Sequence, residues 1–407
     1  MQEFALGALL TRWGPVARHN LAASEAETLP LRDLLAMAAP DDLHRWQGLD
    51  LGYTDPRGAV WLRQAIAGTY AGITPDTVLC FAGAQEALAC AARALLSAGD
   101  HAAPDHAPHG LAAQGHAAQG HAPRGHAIVV VPCYQPSEMA VTSVADVTGV
   151  ALDPDDRWRL DLAKVAAAIR PTTRLVVVNF PNNPTGTLID RGCLDALIAL
   201  CRRHGLWLVN DEVYRLIDRD PAMRLPQIAE VYERGISINA LTKSHGLPGL
   251  RVGWAACRDR GVLARMQAVK TALSGCLAAP SEVLAHIAIQ AQGRILGRNR
   301  ALADANLRRL RAFFARHSGL FEWDEPAGGV TAFPRYRGAD GVEAFAEELA
   351  CEAGVLVLPG SVWRSSLGPT PADRFRVGFG RNGVAPALDA WEGLIVGRQP
   401  AAARRVG

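Results

Sequence analysis

The sequence has few of the features that mark membrane-bound, secreted or nucleic-acid-binding proteins. Its 407 residues contain no apolar run of membrane-spanning length. The first residues, MQEFALGALLTRWGP, lack both the cationic segment and the small-residue cleavage site of a secretory signal. The net charge is only +2 and the basic residues are dispersed. We therefore expect a cytoplasmic protein that binds neither membranes nor nucleic acid.

The eight cysteines include no C-x-x-C pair and lie mostly in apolar segments. In a chain of this size, such cysteines are expected to be reduced and buried. We therefore predict neither a disulfide framework nor a metal site. With 49% hydrophobic and 20% charged residues, the chain is long enough to form two subdomains around a large core.

Residues 101–127 consist of repeated Gly-His-Ala units with Pro and Gln and almost no large apolar side chain. Such a segment cannot bury a core, and we predict a disordered surface insertion. It holds six of the twelve histidines, so weak transition-metal binding is the alternative. Irregular spacing and the lack of cysteine partners favour an expanded repeat without function.

Strand-like and helix-like segments alternate from about residue 78 to residue 285. This alternation is typical of an α/β protein with a doubly wound, mostly parallel sheet. We assign residues 51–285 to this large domain and residues 286–398 to a smaller α+β domain, with 1–50 as an arm and part of the small domain and 399–407 as a flexible tail. The predicted strands are 78–81, 128–131, 141–150, 174–180, 206–212 and 236–240, and a long helical run covers 280–311.

Polar residues follow these strands at their carboxyl ends, where open α/β sheets bind ligands. The carboxyl ends of parallel strands meet at one edge of the sheet, so we expect the polar residues to converge on one site. They are residues 83–85, Tyr134, Asn183, Asp211 with Tyr214, and Lys243 with Arg251.

The stretch ALTKSHGLPGLRVG, residues 240–253, carries the strongest chemical signal. Lys243 can form a Schiff base if a pocket shields it, and Arg251 offers a rigid fork of donors for a phosphate dianion. Pyridoxal phosphate needs both groups. In addition, Ala84 and Gln85 open a helix after a strand and a tight turn, which places free amides where phosphate can bind.

Other residues supply partners for the remaining faces of that cofactor. Asp211 suits a protonated ring nitrogen, which calls for a buried carboxylate. Asn183 and Tyr214 can donate to the phenolate oxygen, and Tyr134 can stack on the ring. Arg376 is a bidentate partner for a substrate α-carboxylate. The structural alternatives are a turn or helix-cap role for Asp211 and a surface position on an edge strand for Arg376.

Over nearly the whole chain, from about residue 53 to residue 380, this pattern resembles the class I and II aminotransferases of the fold-type I pyridoxal phosphate enzymes. TKSHGLPGLRVGW, NDEVY and NNPTG carry the resemblance. It implies pyridoxal 5'-phosphate as cofactor, an amino acid and a 2-oxo acid as substrates, and a homodimer with sites at the interface. The roles it implies are Lys243 as Schiff-base lysine and general base, Arg251 with the amides of Ala84 and Gln85 as phosphate ligands, Asp211 at the ring nitrogen, Asn183 and Tyr214 at O3′, Tyr134 on the ring face, Arg376 with Asn183 at the substrate, and Tyr53 reaching the neighbouring subunit's phosphate.

Four segments are also similar to capreomycidine synthases, family members that cyclise a hydroxylated arginine instead of transaminating it. These segments are VVVNFPNNPTG, GLPGLRVGW, GGVTAFPR and GVLVLPGSVW. Two positions depart from the family. Ala240 stands where serine or glycine is usual, which gives the phosphate cup one contact fewer than a serine would, and His245 stands where an aromatic residue is common.

We predict an aminotransferase from these features. The second candidate is a pyridoxal phosphate enzyme of elimination, replacement or cyclisation, because one fold serves all these reactions. A transcription regulator with an aminotransferase-like domain is the third, but the first 50 residues show no helix-turn-helix pattern or basic cluster. Substrate-specificity groups are expected from loops near residues 20–24 and 363–366.

Overall fold

The computed structural model of the protein describes residues 5–97 and 125–398. The strands are β1 His19–Asn20, β2 Val78–Phe81, β3 His126–Val131, β4 Asp146–Ala151, β5 Thr173–Asn179, β6 Trp207–Asp211, β7 Gly235–Ala240, β8 Gly253–Ala256, β9 Phe321–Glu322, β10 Thr331–Ala332, β11 Arg335–Tyr336, β12 Val355–Leu356, β13 Leu358–Pro359 and β14 Phe375–Gly378. The α-helices are α1 Ala5–Trp13, α2 Leu31–Leu35, α3 Pro40–Gln47, α4 Val60–Ala67, α5 Ala84–Leu96, α6 Gln135–Thr142, α7 Leu162–Ala168, α8 Arg191–Arg203, α9 Ile228–Val231, α10 Arg260–Thr271, α11 Ala279–Gln290, α12 Gln292–Arg316, α13 Val342–Cys351 and α14 Val384–Arg398. Short 3-10 helices cover Pro75–Thr77, Pro221–Met223, Pro248–Leu250 and Gly360–Trp363.

Within the described residues, the largest sheet has seven strands in the order β2-β8-β7-β6-β5-β3-β4. The strands from β7 to β4 pair in parallel, whereas β8 is antiparallel to both β2 and β7. The predicted α/β fold with a mostly parallel sheet is therefore confirmed. The sequence does not predict β8, because its four residues directly follow the glycine-rich turn that ends at Arg251.

Both faces of this sheet are buried, and alternate residues of a strand enter different cores. Val176 and Leu208 pack in the cluster that contains the apolar side of α8. Their neighbours Val177 and Val209 pack in the cluster formed with α5 and α10. This period of two is imposed by strand geometry. The continuous apolar run at residues 174–180 follows from burial on both faces.

The C-terminal part of the chain forms small sheets that receive the N-terminal arm. Strand β14 lies between β10 and β13, and β1 pairs in parallel with β12. The arm then passes β14, where Gly378 N donates to Leu21 O at 2.6 Å. A Cβ on Gly378 would lie 1.7 Å from Ala23 O, so the arm can pass this close only because residue 378 has no side chain. The domain boundaries given above stay predictions.

Two element predictions are wrong in detail. The predicted strand at 141–150 begins only at Asp146, because Val141 is buried on α6 and this helix continues to Thr142. The helical run at 280–311 is two helices, α11 and α12, which meet at Ala291.

The predicted insertion 101–127 lies outside the described residues up to position 124. The prediction of disorder is wrong for the last two residues of this segment, because β3 begins at His126 and not at Ile128. The His126 ring nitrogens make hydrogen bonds with Thr173 Oγ1 at 2.7 Å and Thr148 Oγ1 at 2.9 Å. Burial lowers the pKa of this histidine. A neutral imidazole with both nitrogens paired can enter a sheet. The tail 399–407 also lies outside the described residues.

None of the helices in the described ranges is long and apolar enough to cross a membrane. The eight cysteines, all in those ranges, are free thiols, in agreement with the prediction that they are reduced. Five of them are buried, whereas Cys351 is exposed and departs from the predicted burial.

Candidate cofactor-binding site

A cavity opens at the carboxyl edge of the central sheet, beside the start of α5. Its walls come from the segments that follow β2, β3, β5, β6 and β7. The lining residues are Ala84, Gln85, Tyr134, Asn179, Asn183, Asp211, Val213, Tyr214, Ala240, Thr242, Lys243 and Arg251. Every predicted cofactor residue except Tyr53 therefore lies in one place. A wider groove bordered by Trp158 and Trp323 contains none of these residues.

Lys243 lies between the end of β7 and the N-terminal arm. Its Nζ donates to Ser24 Oγ at 2.8 Å and lies 3.9 Å from Glu25 Oε2, with 24% of the side chain exposed. Burial lowers the pKa of Lys243 to about 8, while Glu25 opposes this shift and Arg376 strengthens it. A substantial fraction of the amine is therefore neutral near pH 8, and the neutral amine is the form that attacks an aldehyde.

Asp211 ends β6 with its side chain buried. Its Oδ1 accepts from Val213 N at 3.2 Å, and its main-chain oxygen accepts from Asn179 Nδ2 at 2.8 Å. Burial raises the pKa of Asp211 to about 6, which the Val213 hydrogen bond and Lys243 oppose. The Val213 bond is the turn-capping contact of the structural alternative. A turn-capping role alone would not require the Asp211 carboxylate to line a cavity, as it does. A cationic ligand group in this cavity would favour the ionised form of the carboxylate.

Tyr214 is 2% exposed, and its Oη makes no hydrogen bond of normal geometry within the described residues. Burial raises the pKa of this phenol, while Arg376 and Ser24 oppose the shift. A buried hydroxyl without a partner is costly. A ligand oxygen in the cavity would remove that cost. Tyr134, directly before α6, lines the same cavity.

The opposite end of the cavity is built from backbone and a guanidinium group. Gly83, at φ 104°, is the N-cap of α5, so Ala84 and Gln85 occupy the first turn, where amides have no helical acceptor. A Cβ on Gly83 would lie 2.7 Å from Arg251 Nη2, and one on Gly253 would lie 2.7 Å from Ala84 N. The amides and Arg251 can therefore approach each other only because both glycines lack side chains.

Arg376 is buried on β14, the central strand of its sheet, so the surface-arginine alternative is wrong. Its Nη1 donates to Asn183 Oδ1 at 2.8 Å and its Nη2 to Ala22 O at 2.5 Å. The guanidinium carbon lies 5.0 Å from the centroid of the Trp363 ring. Burial lowers the pKa of Arg376, and its Nε has no protein partner within the described part of the chain.

Sequence reasoning missed four residues of the site: Glu25 contacts Lys243, Asn179 bridges to Asp211, and Val213 and Thr242 line the cavity. Ser24, which accepts from Lys243, lies in the segment 20–24 from which specificity groups were expected. Asn179 carries a signal, since it is a polar residue at the end of an apolar strand. Glu25 carries none, because it lies in no motif and is more than 200 residues from Lys243 in sequence.

Three residues singled out by the sequence have distinct surroundings. Tyr53 is fully exposed and lies outside this chain's cavity, so its contact with a neighbouring subunit stays a prediction. Ala240 is buried and lines the cavity, so the departure from the usual serine falls inside the site. His245 is buried, neither of its ring nitrogens has a hydrogen-bond partner among residues 5–97 and 125–398, and burial lowers its pKa to about 4.

The residues present fit pyridoxal phosphate on three observations. The buried Tyr214 hydroxyl, which makes no hydrogen bond of normal geometry in the described residues, is available to a ring oxygen. Arg251 Nη2 lies beside Gly83, where the first amides of α5 begin. Lys243, of lowered pKa, lines the same cavity. By contrast, residues 5–97 and 125–398 contain no group of three or more His, Cys, Asp or Glu side chains that could hold a metal ion.

Comparison with known families gives the same answer over almost the whole chain. The model of the aminotransferase class I and II family matches residues 19–384. The chain belongs to this family. Its fold is the fold-type I architecture of these aminotransferases, and its cofactor is pyridoxal 5'-phosphate.

Individual relatives include both transaminases and a synthase. Arginine–pyruvate transaminase AruH of Pseudomonas aeruginosa is 30% identical over 342 residues, covering 80% of this chain and 77% of that protein. Capreomycidine synthase of Streptomyces vinaceus is 32% identical over 254 residues, but this match covers only 62% of this chain and 63% of the synthase. The crystal structure of a pyridoxal phosphate-dependent aminotransferase from Streptococcus suis superposes with a TM-score of 0.85 at 25% identity, covering 98% and 99% of the two chains.

Proposed function

We propose that this family member is an aminotransferase that moves an amino group between an amino acid and a 2-oxo acid. The observation that carries the proposal is Lys243, a cavity-lining lysine whose pKa is lowered to about 8. Asp211 lines the same cavity, and Arg376 contacts the cavity-lining Asn183. A cytoplasmic location is part of the proposal.

When bound, pyridoxal phosphate supplies an electron sink for the α-carbon of the amino acid. The residues that would hold it are Lys243 as covalent anchor, Asp211 at the ring nitrogen, Tyr214 and Asn183 at the ring oxygen, Tyr134 on the ring face, and Arg251 with the amides of Ala84 and Gln85 at the phosphate.

Lys243 has a second role once substrate has freed its amine. Nζ then accepts the proton of the substrate α-carbon, as a general base whose pKa lies near the working pH. Ser24 Oγ, at 2.8 Å, fixes the position of this nitrogen. Because burial lowers the pKa of Lys243 to about 8, more of the amine is neutral at a given pH than in an exposed lysine, and the neutral amine is the form that accepts this proton.

Arg376 orients the amino acid through its α-carboxylate. The guanidinium group is held on one side by Asn183 and on the other by Ala22 O, and it packs near the ring of Trp363. These contacts fix the plane of the guanidinium group, which is what two-point recognition of a carboxylate requires.

We include a homodimer in the proposal. Leu51 and Tyr53 are 81% and 101% exposed, and Leu273 is 52% exposed. A second subunit would cover such apolar side chains. In the family arrangement that the resemblance implies, Tyr53 then reaches the phosphate in the neighbouring subunit.

A second candidate is cyclisation or elimination on an amino acid, as in a capreomycidine synthase-like enzyme. The supporting observation is the 32% identity with capreomycidine synthase over 254 residues. The groups that hold the cofactor serve either reaction, so only the fate of the substrate separates the two candidates.

The test is a half-reaction, in which the cofactor-loaded protein receives an amino acid but no 2-oxo acid. An aminotransferase leaves the cofactor in its amine form, with a lasting change in the visible spectrum. An enzyme of cyclisation or elimination restores the original spectrum and releases a modified amino acid. Lys243→Ala serves as the reference, because it should lose both the visible band of attached cofactor and turnover. Full activity in this variant would contradict the proposed mechanism.

A further inference from the structure

Two residues of the N-terminal arm contact the amine of Lys243. Ser24 Oγ accepts a hydrogen bond from Nζ at 2.8 Å, and Glu25 Oε2 lies 3.9 Å from the same nitrogen. Ser24 is 8% exposed, and 18% of the Glu25 side chain is exposed. A partly buried pair of this kind is screened by salt much less than a pair on the surface is.

Contacts other than the one with Nζ hold Glu25 in place. Its Oε2 accepts from Ser24 N at 3.2 Å, and its Oε1 lies 3.4 Å from Arg381 Nη1. Its charge also acts on Arg376 and Tyr214. The contacts with Ser24 N and Arg381 keep the carboxylate beside Nζ even when the amine is neutral.

Charged groups from other elements face the same amine. Arg376 lies on β14, Asp211 ends β6, and Arg251 follows the glycine-rich turn. Burial lowers the pKa of Lys243 to about 8. Glu25 and, to a smaller extent, Asp211 oppose this shift, whereas Arg376 and Arg251 strengthen it. Glu25 is therefore the main charged group that favours the protonated amine.

The proposed function gives the other three charged groups partners of opposite charge. Asp211 takes the ring nitrogen, Arg251 the phosphate and Arg376 the α-carboxylate of the substrate. Each partner offsets the charge of the residue that binds it, so that residue acts less on Nζ. Glu25 is not among the residues that line the cavity, so neither cofactor nor substrate takes its charge away from the amine.

We propose, on the basis of the proposed function, that Glu25 is the counter-ion of the freed Lys243 amine and keeps the proton of the substrate α-carbon on Nζ. In this step the proton moves to the lone pair of Nζ, and the C–H electron pair stays with the α-carbon. The positive ammonium group that results lies beside Oε2, which stabilises it. Glu25 touches no reacting atom, so it is a positioning residue that acts through Lys243.

The decisive experiment measures the pKa of Lys243 in the full-length protein before cofactor is added. Amines are labelled with acetic anhydride at a series of pH values, and peptide mass spectrometry gives the labelled fraction of each lysine. Lys164 is exposed and serves as the internal reference. Glu25→Gln replaces the carboxylate by a neutral amide, so it should lower the pKa of Lys243 and raise its labelling rate at pH 7 about two- to fivefold.

A merely structural role for Glu25 predicts the opposite sign. A loosened arm would let water reach Nζ, which would raise the pKa of Lys243. Glu27→Gln is the matched control. Glu27 lies on the same arm, its Oε2 accepts from Asn382 N at 2.5 Å, and its charge is not one of those that shift the pKa of Lys243. In this variant Lys243 should be labelled as in the wild type.

The second readout is the pH dependence of the half-reaction in the cofactor-loaded protein. All the standard amino acids are screened as donors, and the fastest is used at a saturating concentration. The rate rises with pH as the base loses its proton. Glu25→Gln should therefore move this rise to lower pH, in the same direction as the labelling curve.

The outcomes separate this inference from the proposed function. An unchanged or raised pKa of Lys243 in Glu25→Gln would overturn the counter-ion role, whichever reaction the protein catalyses. A lowered pKa with an unmoved rate profile would overturn the part of Glu25 in proton transfer and leave the aminotransferase proposal standing. No spectral response to any amino acid would overturn the proposed function and the proton transfer with it, while the labelling curves would still decide whether Glu25 pairs with the amine.

Discussion

The two walls of the cavity differ in where their residues come from. The sheet wall consists of Ala84, Tyr134, Asn183, Asp211, Lys243 and Arg251, which follow successive strands or open the helix after one. What we call the arm wall is a set of residues behind the lining, Ala22, Ser24, Glu25 and Arg376. They contact the lining residues Lys243 and Asn183 directly or through Arg376, and join segments up to 354 residues apart in sequence. In the proposed function, the sheet wall holds the cofactor and Arg376 of the arm wall orients the substrate. Substitutions in the arm are therefore expected to change substrate binding more than cofactor binding.

The largest effect is expected from a substitution that displaces the start of α5, where the phosphate is proposed to bind. In Gly253→Ala, the new Cβ meets Ala84 N and Gly83 C at 2.7 Å each, and these atoms cannot move without shifting α5. We expect cofactor affinity to fall at least about tenfold, in line with the cost of overpacking a rigid site. Equilibrium dialysis or spectral titration with the cofactor measures this change.

Gly249→Ala is the matched control for this variant. It lies in the same glycine-rich stretch, but a Cβ there has no heavy atom within 4 Å. It should bind the cofactor as the wild type does. Unchanged affinity in Gly253→Ala would mean that the start of α5 is not the phosphate site.

An intermediate effect concerns the stability of the sheet wall in the absence of cofactor. Glu212, next to Asp211, is 2% exposed; its Oε1 accepts from Ser237 Oγ and Ile228 N, and its Oε2 has no partner in the described chain. Burial raises the pKa of Glu212 from 4.5 to about 7. Between these values the folded protein keeps a proton that the unfolded chain releases, so stability falls as pH rises from 4.5 through 7.

Glu212→Gln removes this titration and keeps an oxygen for the donors Ser237 Oγ, Ile228 N and Asn210 Nδ2. The variant should gain about 2–3 kcal/mol of unfolding free energy over the wild type at pH 8, and this gain should vanish near pH 4.5. Denaturant unfolding of the cofactor-free proteins at both pH values measures it. The exposed Glu352→Gln provides the control. If the unfolding free energies of Glu212→Gln and the wild type differed by the same amount at both pH values, the raised pKa of Glu212 would be contradicted.

The smallest effect is expected from restoring a hydroxyl group to the sheet wall. Ala240 is fully buried and lines the cavity. Ala240→Ser should tighten cofactor binding about 2- to 10-fold by adding one hydrogen bond. Ala240→Cys is the control, because a thiol fills similar space but is a weak donor. Equal affinities in wild type and Ala240→Ser would place residue 240 away from the phosphate.

The two walls also differ in how far the sequence predicts them. Parallel strands fix which edge their last residues occupy, so Asn183, Asp211 and Lys243 are predictable from apolar runs followed by polar residues. Strand β8 is not predictable in this way, because its four residues follow Arg251 without a turn or polar residue that marks where the strand begins. Residues 20–24 are expected near the substrate, but the position of Glu25 beside Lys243 is not predictable from the sequence. It depends on a close approach of the arm to Gly378, which only the tertiary structure determines.

The anchor of the sheet wall can be located directly. The sequence contains three lysines, Lys164, Lys243 and Lys270. Lys164 is exposed, and Lys270 is buried away from the cavity with its Nζ donating to Pro56 O. Borohydride reduction of the cofactor-loaded protein, followed by peptide mass spectrometry, identifies the modified residue. Modification of Lys243 alone is the predicted result, and modification of Lys164 or Lys270 with Lys243 unmodified would contradict the account.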